Sequence, residues 1–379
     1  MTEPVYLDHH ATTPCDPRVL EKMLPFFTET FGNPAAVTSP HGRRAATAVE
    51  DARAAVADFL RVRPAEVVFT AGATESNNMA IRGLAAPGSH VVTSAVEHKS
   101  VLEPLARLAR AGVEVTILPV DGEGFVDPER VRDAIRPSTV LVSVMAANGE
   151  IGTIEPVAAI GAICRDAGVR FHTDATQAVG KIPVDLSEIP CDLLSLSAHK
   201  IYGPKGIGAL VIRRGVRLEP LVIGGGQEKG WRSGTVNVPG TIGLAAALEL
   251  RRAEMEEEAV RLAALRDHLR ERIVREITDT RIHGPRELRL PGNLNVSFRG
   301  IDAESLMFAL RRFSVSSGSA CSAGEREPSH VLRAIGADDA AALGSIRFGL
   351  GKTTSRTEID RLADDLVATV GRLRQMSVH

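Results

Sequence analysis

Residues 169–200 read VRFHTDATQAVGKIPVDLSEIPCDLLSLSAHK, and two short runs within this stretch decide the fold. Val169 to Asp174 is an apolar run closed by an acid, and Asp192 to Leu196 is a second run that passes into Ser197, Ala198, His199 and Lys200. Runs of this length and character read as buried strands. A helical pattern over Pro156 to Ala167 precedes the first of them, and strands joined through helices predict a mostly parallel sheet. The alternation extends from about residue 43 to 250, with further strands predicted over Glu66 to Thr70, His90 to Ser94, Val113 to Pro119, Val140 to Met145 and Gly208 to Ile212. Helices are predicted over Val101 to Ala111 and Pro128 to Ile135.

Beyond a long charged helix around Leu244 to Ile277, strands mix with helices, which predicts a smaller α+β domain. The expected division is a large domain at 13–250 and a small one built from 1–12 and 251–379. A chain of 379 residues suits two domains of ordinary size.

With 45 basic and 47 acidic side chains the net charge is -2, so nothing in the global charge pulls the chain toward nucleic acid or anionic lipid. One Trp and two Tyr leave no aromatics to interleave with a basic stripe. The start, MTEPVYLDHH, has no basic head followed by an apolar stretch, and no run of about twenty apolar residues occurs. A cytoplasmic protein without membrane association is expected. Cys15, Cys164, Cys191 and Cys321 are far apart, unlike a zinc site or a disulfide scaffold, so no metal is expected and the thiols should be reduced.

In open α/β sheets ligands sit beyond the carboxyl ends of the strands, and here those ends carry chemistry. After Thr70 the run Ala71-Gly72-Ala73-Thr74-Glu75-Ser76-Asn77-Asn78 can open a helix whose free amides, with the Thr74 hydroxyl, cradle a phosphate; an ordinary capped helix start reads the same way. Asp174 and Lys200 end neighbouring strands and face one crevice. That pairing suits pyridoxal phosphate, whose aldehyde a lysine amine captures while a carboxylate keeps the ring nitrogen protonated. The turn chemistry around Lys200, with Ser197, His199, Tyr202 and Gly203-Pro204-Lys205-Gly206, exceeds what a surface salt bridge calls for. His98 is expected to close the strand that begins at His90, where an imidazole can stack on a flat ring and move protons. Cys164 and Cys191 sit in apolar patterns and should be buried, whereas Cys321, in a small polar run from Val315 to Gly324 that ends near a helix start at Pro328, suits a nucleophile. Arg347, in a predicted strand from Ser345 to Gly349, offers a fork for an α-carboxylate or for a nearby acid.

These motifs together resemble the cysteine desulfurases over nearly the whole chain. Those that carry the resemblance include Ala11-Thr12-Thr13-Pro14, Gly72-Ala73-Thr74-Glu75-Ser76, Glu97-His98-Lys99, Asp174-Ala175-Thr176-Gln177, His199-Lys200-Ile201-Tyr202-Gly203-Pro204-Lys205-Gly206, Arg232-Ser233-Gly234-Thr235, Ser316 to Cys321 and Ile346-Arg347-Phe348. The resemblance implies a fold-type I pyridoxal-phosphate-dependent transferase with a seven-stranded sheet. It implies that Lys200 holds the cofactor, Asp174 binds its ring nitrogen, Gln177 its phenolic oxygen, and that His98 stacks on the ring. Ala73, Thr74, Ser197 and His199 would meet the phosphate, and Thr235 would reach in from the partner of a homodimer. Asn148 falls close to cofactor and substrate, and Arg347 matches the clamp for the carboxylate of L-cysteine.

The run from Ser316 to Pro328 is similar to the long-loop group that includes the housekeeping enzymes, in which the sulfur passes as a persulfide on Cys321 to an acceptor protein. Iron-sulfur cluster assembly and thiolation of tRNA or other targets are the expected destinations. Three departures stand out: Gly149 where asparagine is frequent, Ser39 where histidine is common, and Ala198 in place of a glycine. The tail with which long-loop relatives grip a scaffold is not matched after Met376, which leaves the acceptor open. An aminotransferase or selenocysteine lyase of the same fold, and a docking subunit without catalysis, are the rival readings.

Overall fold

Parallel strands require long crossovers and bury both faces, and the apolar runs of this chain meet that demand. The computed structural model describes residues 4–317 and 327–376. Among the described residues a seven-stranded sheet has the spatial order Val67–Thr70, Gly208–Ile212, Leu193–Ser197, Arg170–Asp174, Thr139–Ser143, His90–Ser94, Glu114–Leu118. Gly208–Ile212 is antiparallel to both neighbours, and the remaining pairs are parallel. The two reversals cancel, so Thr70, Ser94, Ser143, Asp174 and Ser197 all end on one side of the sheet. Val92, Val142, Phe171, Leu194 and Val211 pack into one apolar cluster with helices such as Pro40–Leu60 and Val157–Asp166.

A second, antiparallel sheet has the order Ser316–Ser317, Ser345–Gly349, Asn293–Phe298, Thr280–His283. Its apolar cluster includes Leu265, Leu269, Val296, Phe348 and Leu366, contributed partly by the helix Arg356–Met376. The helix Val238–Glu276 joins the two clusters, placing Leu244 and Leu248 in the first and Leu262 to Ile273 in the second. Val5–Tyr6 pairs in parallel with Phe313–Ser314, which ties the start of the chain to the second unit. No helix among the described residues is long and apolar enough to cross a membrane.

The α/β architecture, the seven strands and the smaller α+β unit match the expectation, with strand ends shifted by a residue or two. Two boundaries need correction. His98 does not close a strand: the strand stops at Ser94, and His98 is the N-cap of the helix Lys99–Arg110, its Nδ1 accepting from the Ser100 amide. The cause is Glu97, whose buried carboxyl group accepts through Oε1 from Ser94 Oγ at 2.7 Å and from the Met145 amide at 2.8 Å, turning the chain out of the sheet. The helix expected near Pro328 begins at His330, because Ser329 Oγ caps the amides of Val331 and Leu332.

Candidate active site

Beyond the converging strand ends lies a cavity of about 690 Å³. Ala73, Thr74, Ser197 and His199 line one end of it. Gly72, at φ 149°, turns the strand Val67–Thr70 into the helix Ala73–Arg82, a backbone angle that favours glycine. The first amides of that ten-residue helix, beside the Ser197 and His199 side chains, form an anion-receptive end. Glu75, also in the first turn and lining the cavity, has its carboxylate held by the Ala71 amide at 2.6 Å and by Arg232 at 2.8 Å.

Asp174 and Lys200 line the same cavity. Their strands are adjacent and parallel, with Asp174 opposite Ser195. Asp174 is 7% exposed. Its Oδ1 accepts from the Thr176 amide at 3.0 Å and its Oδ2 from Asn77 Nδ2 at 2.7 Å, so the hydrogen-bond donors around this buried carboxylate are neutral. Lys200 Nζ donates to the carbonyls of His10 and Ala11, each at 2.7 Å.

The amide of Asn77 continues as a directed chain. Nδ2 donates to Ser100 Oγ at 2.8 Å, so the serine hydroxyl is left to donate to His98 Nδ1 at 2.7 Å. With its Nδ1 accepting, His98 carries its proton on Nε2 in the neutral ring. Burial, partly offset by Asp174, holds its pKa below the ordinary imidazole value and favours that neutral form.

Gln177 also lines the cavity, with both ends of its amide engaged: Nε2 donates to the His10 carbonyl at 2.9 Å, and Oε1 accepts from Lys181 Nζ at 2.5 Å. Lys181 is half-buried, and its pKa is pushed well down, chiefly by desolvation and then by the nearby Lys200 charge. A Cβ at Gly149 would lie 2.6 Å from Gln177 Nε2, which accounts for glycine at that position. Asn148 borders the cavity, but its amide is spent on the backbone, donating to the Val96 carbonyl and accepting from the amides of Glu150 and Ile151. Arg347 donates through Nη2 to Asp8 Oδ1 at 2.7 Å and through Nη1 to the Gly149 carbonyl at 3.2 Å.

Thr235 is exposed and does not line this cavity. Cys321 lies outside the described residues. Cys164 and Cys191 are buried, and burial raises both thiols to about 12, which suits packing rather than chemistry. Sequence reading missed Asn77, Ser100, Lys181 and His330 as parts of the site. Asn77 and Ser100 adjoin motifs already recognised, yet their contacts join two helices and a strand distant in the chain, and nothing local signals them.

Residues 5–362 match the aminotransferase class-V family. Over its full length the chain is 50% identical to the cysteine desulfurase IscS of Anaeromyxobacter dehalogenans (strain 2CP-C), covering 95% of that relative. Among solved structures it is similar to a NifS-like protein, with TM-score 0.91 and 38% identity over 97% of this chain and 100% of the other. It is also similar to SspA in complex with cysteine, with TM-score 0.82 and 38% identity over 91% of this chain and 98% of that one.

Proposed function

The chain belongs to the aminotransferase class-V family, and from that premise we propose how Lys200, Asp174 and Cys321 divide the work of a pyridoxal-phosphate-dependent cysteine desulfurase. The observation that carries the assignment is the meeting of Asp174 and Lys200 at the ends of adjacent parallel strands in one cavity. The residues fit the cofactor. Asp174 is a buried carboxylate with neutral partners, as a protonated ring nitrogen requires, and the amino-terminal amides at Ala73 and Thr74, with Ser197 and His199, suit a phosphate. Gln177 would hold the phenolic oxygen and His98 would cover the ring face. When bound, pyridoxal phosphate draws electrons from the substrate α-carbon through its protonated ring.

The protein's own groups then act as follows. Arg347 orients the substrate carboxylate by its guanidinium fork. Lys200 Nζ takes the α-proton. Cys321 Sγ, as thiolate, bonds to the substrate sulfur while the carbon-sulfur bond breaks, leaving a persulfide on the enzyme and L-alanine as the other product. Asn148, with its amide committed to the backbone, shapes the turn beside these groups rather than contacting substrate through that amide.

The division at residue 250 is supported by two apolar clusters that the helix Val238–Glu276 joins. A homodimer is supported by the exposed apolar side chains of Phe27, Phe31 and Ile223, the last 87% exposed beside the segment that carries Thr235. Thr235 stands clear of its own cavity, in keeping with a role in the partner's. The free thiols of Cys15, Cys164 and Cys191 support a cytoplasmic setting. The persulfide serves an acceptor protein in iron-sulfur cluster assembly or in thiolation of tRNA or other targets.

Borohydride reduction of the holoenzyme followed by peptide mapping tests the cofactor assignment. Label on Lys200 is expected. Label on Lys181 or Lys205 instead would refute it.

A further inference from the structure

Gln177 and Lys200 meet at one oxygen: the His10 carbonyl accepts from Gln177 Nε2 at 2.9 Å and from Lys200 Nζ at 2.7 Å. A carbonyl can only accept, so the end of the Gln177 amide that faces it is the NH2 group, and the opposite end is the oxygen. Lys181 Nζ donates to that oxygen at 2.5 Å, and it has N–H groups to do so as an ammonium or as a neutral amine. Partners on the two ends of the amide therefore agree on one orientation. One Nε2 hydrogen is spent on His10, and the other is left to donate into the cavity that Gln177 lines. The placement of Lys181 is costly. It is half-buried on the turn after Arg170–Asp174, where Lys200, Arg347 and Arg251 oppose its charge and Glu258 offsets them in part. A lysine kept among cations and turned onto a glutamine oxygen marks a role beyond packing.

We propose that Lys181 is a positioning residue: it holds the Gln177 oxygen away from the cavity, so that Gln177 meets the phenolic oxygen of the cofactor only as a donor. Lys181 does not line this cavity and acts through Gln177. Without the lysine the Gln177 oxygen keeps only His10 Nδ1, at 3.1 Å, and the amide is freer to turn. A turned amide would set its own oxygen against the phenolic oxygen, two acceptors in contact, and the hydrogen bond would be lost. The inference rests on the reading of Gln177 as the residue that holds the phenolic oxygen, and adds a residue to it.

The test titrates apoenzyme with pyridoxal phosphate and with 3-deoxypyridoxal phosphate, which lacks the phenolic oxygen, and reads each Kd from absorbance. Lys181→Met keeps an unbranched side chain and removes its donor. It should raise the Kd for pyridoxal phosphate about tenfold or more and leave the Kd for the deoxy analogue within about twofold. In a Gln177→Ala background, Lys181→Met should move neither Kd beyond that margin. A lysine that merely supported the fold would act on both cofactors, so an equal rise for the two would overturn the role. So would a rise that persists beside Gln177→Ala, or a Lys181→Met variant with both Kd values unchanged. A wild type that forms no absorbing complex with pyridoxal phosphate would overturn the cofactor reading, and this inference with it.

Discussion

Asn77 Nδ2 donates to Asp174 Oδ2 across 2.7 Å, and the same nitrogen reaches Ser100 Oγ at 2.8 Å. The helix that presents its amino terminus to one end of the cavity therefore also grips the carboxylate at the other. The two ends cannot shift independently, and the orientation of His98 is tied to both.

Replacing Asn77 by Ala removes a hydrogen bond to a buried charge, an interaction of roughly 1.5–3 kcal/mol. Cofactor affinity should fall by about tenfold or more. Titration of apoenzyme with pyridoxal phosphate, followed by absorbance, measures this; an unaltered Kd would mean that the Thr176 amide suffices to hold Asp174.

Arg347 is set in place by Asp8 at 2.7 Å and by the Gly149 carbonyl at 3.2 Å. Arg347→Lys keeps the charge but loses the planar fork. The KM for cysteine should rise by tenfold or more with the cofactor spectrum preserved. Asp8→Asn should raise KM less, since it frees the guanidinium without removing it.

Gly149→Ala places a Cβ 2.6 Å from Gln177 Nε2 and 2.8 Å from its Cδ. Gln177 must then leave Lys181 or the His10 carbonyl. A shifted cofactor absorption band is expected, and Lys181→Met should shift it in the same direction because it releases the same amide. Identical spectra in the two variants and wild type would show that Gln177 does not face the cofactor.

Much of this arrangement was legible in the sequence because it depends on short patterns. Val91 and Val92 in His90–Ser94 and Leu193, Leu194 and Leu196 in Leu193–Ser197 form short apolar patterns bounded by polar residues, and the acid and amine at Asp174 and Lys200 follow directly from strand ends. The start of the longest helix was not legible. Val238-Pro239-Gly240 looks like a break, yet Asn237 caps it, the proline occupies its first turn, and Gly243 is needed because a Cβ there would lie 2.6 Å from Met23 Sδ. His98 reads as a strand end because Val96 extends the apolar pattern, while the buried acid that bends the chain, Glu97, is held by the Met145 amide just past the end of the strand Thr139–Ser143. Gln177 and Lys181 stand four residues apart, but both meet His10 from the start of the chain, through contacts that no local period encodes.

Glu97 provides a pH test. Burial raises its pKa from 4.5 to about 8, so the folded protein binds this proton more tightly than the unfolded chain does. Its contribution to stability is complete at low pH and is lost as pH rises from about 4.5 through about 8. Glu97→Gln should therefore gain thermal stability relative to wild type on going from pH 5 to pH 8. Glu155, raised to about 8 for the same reason, keeps part of the slope in that variant. Parallel Tm profiles of wild type and variant would contradict the assignment.

The central claim is that one active site takes sulfur from cysteine onto Cys321. The most direct measurement incubates holoenzyme with cysteine, quantifies alanine, and weighs the peptide that carries residue 321. Wild type should release alanine and show a peptide heavier by one sulfur atom, while Cys321→Ala should keep the cofactor absorbance, form no persulfide and release little alanine. Undiminished alanine from Cys321→Ala, or added sulfur on Cys15 instead, would contradict the account.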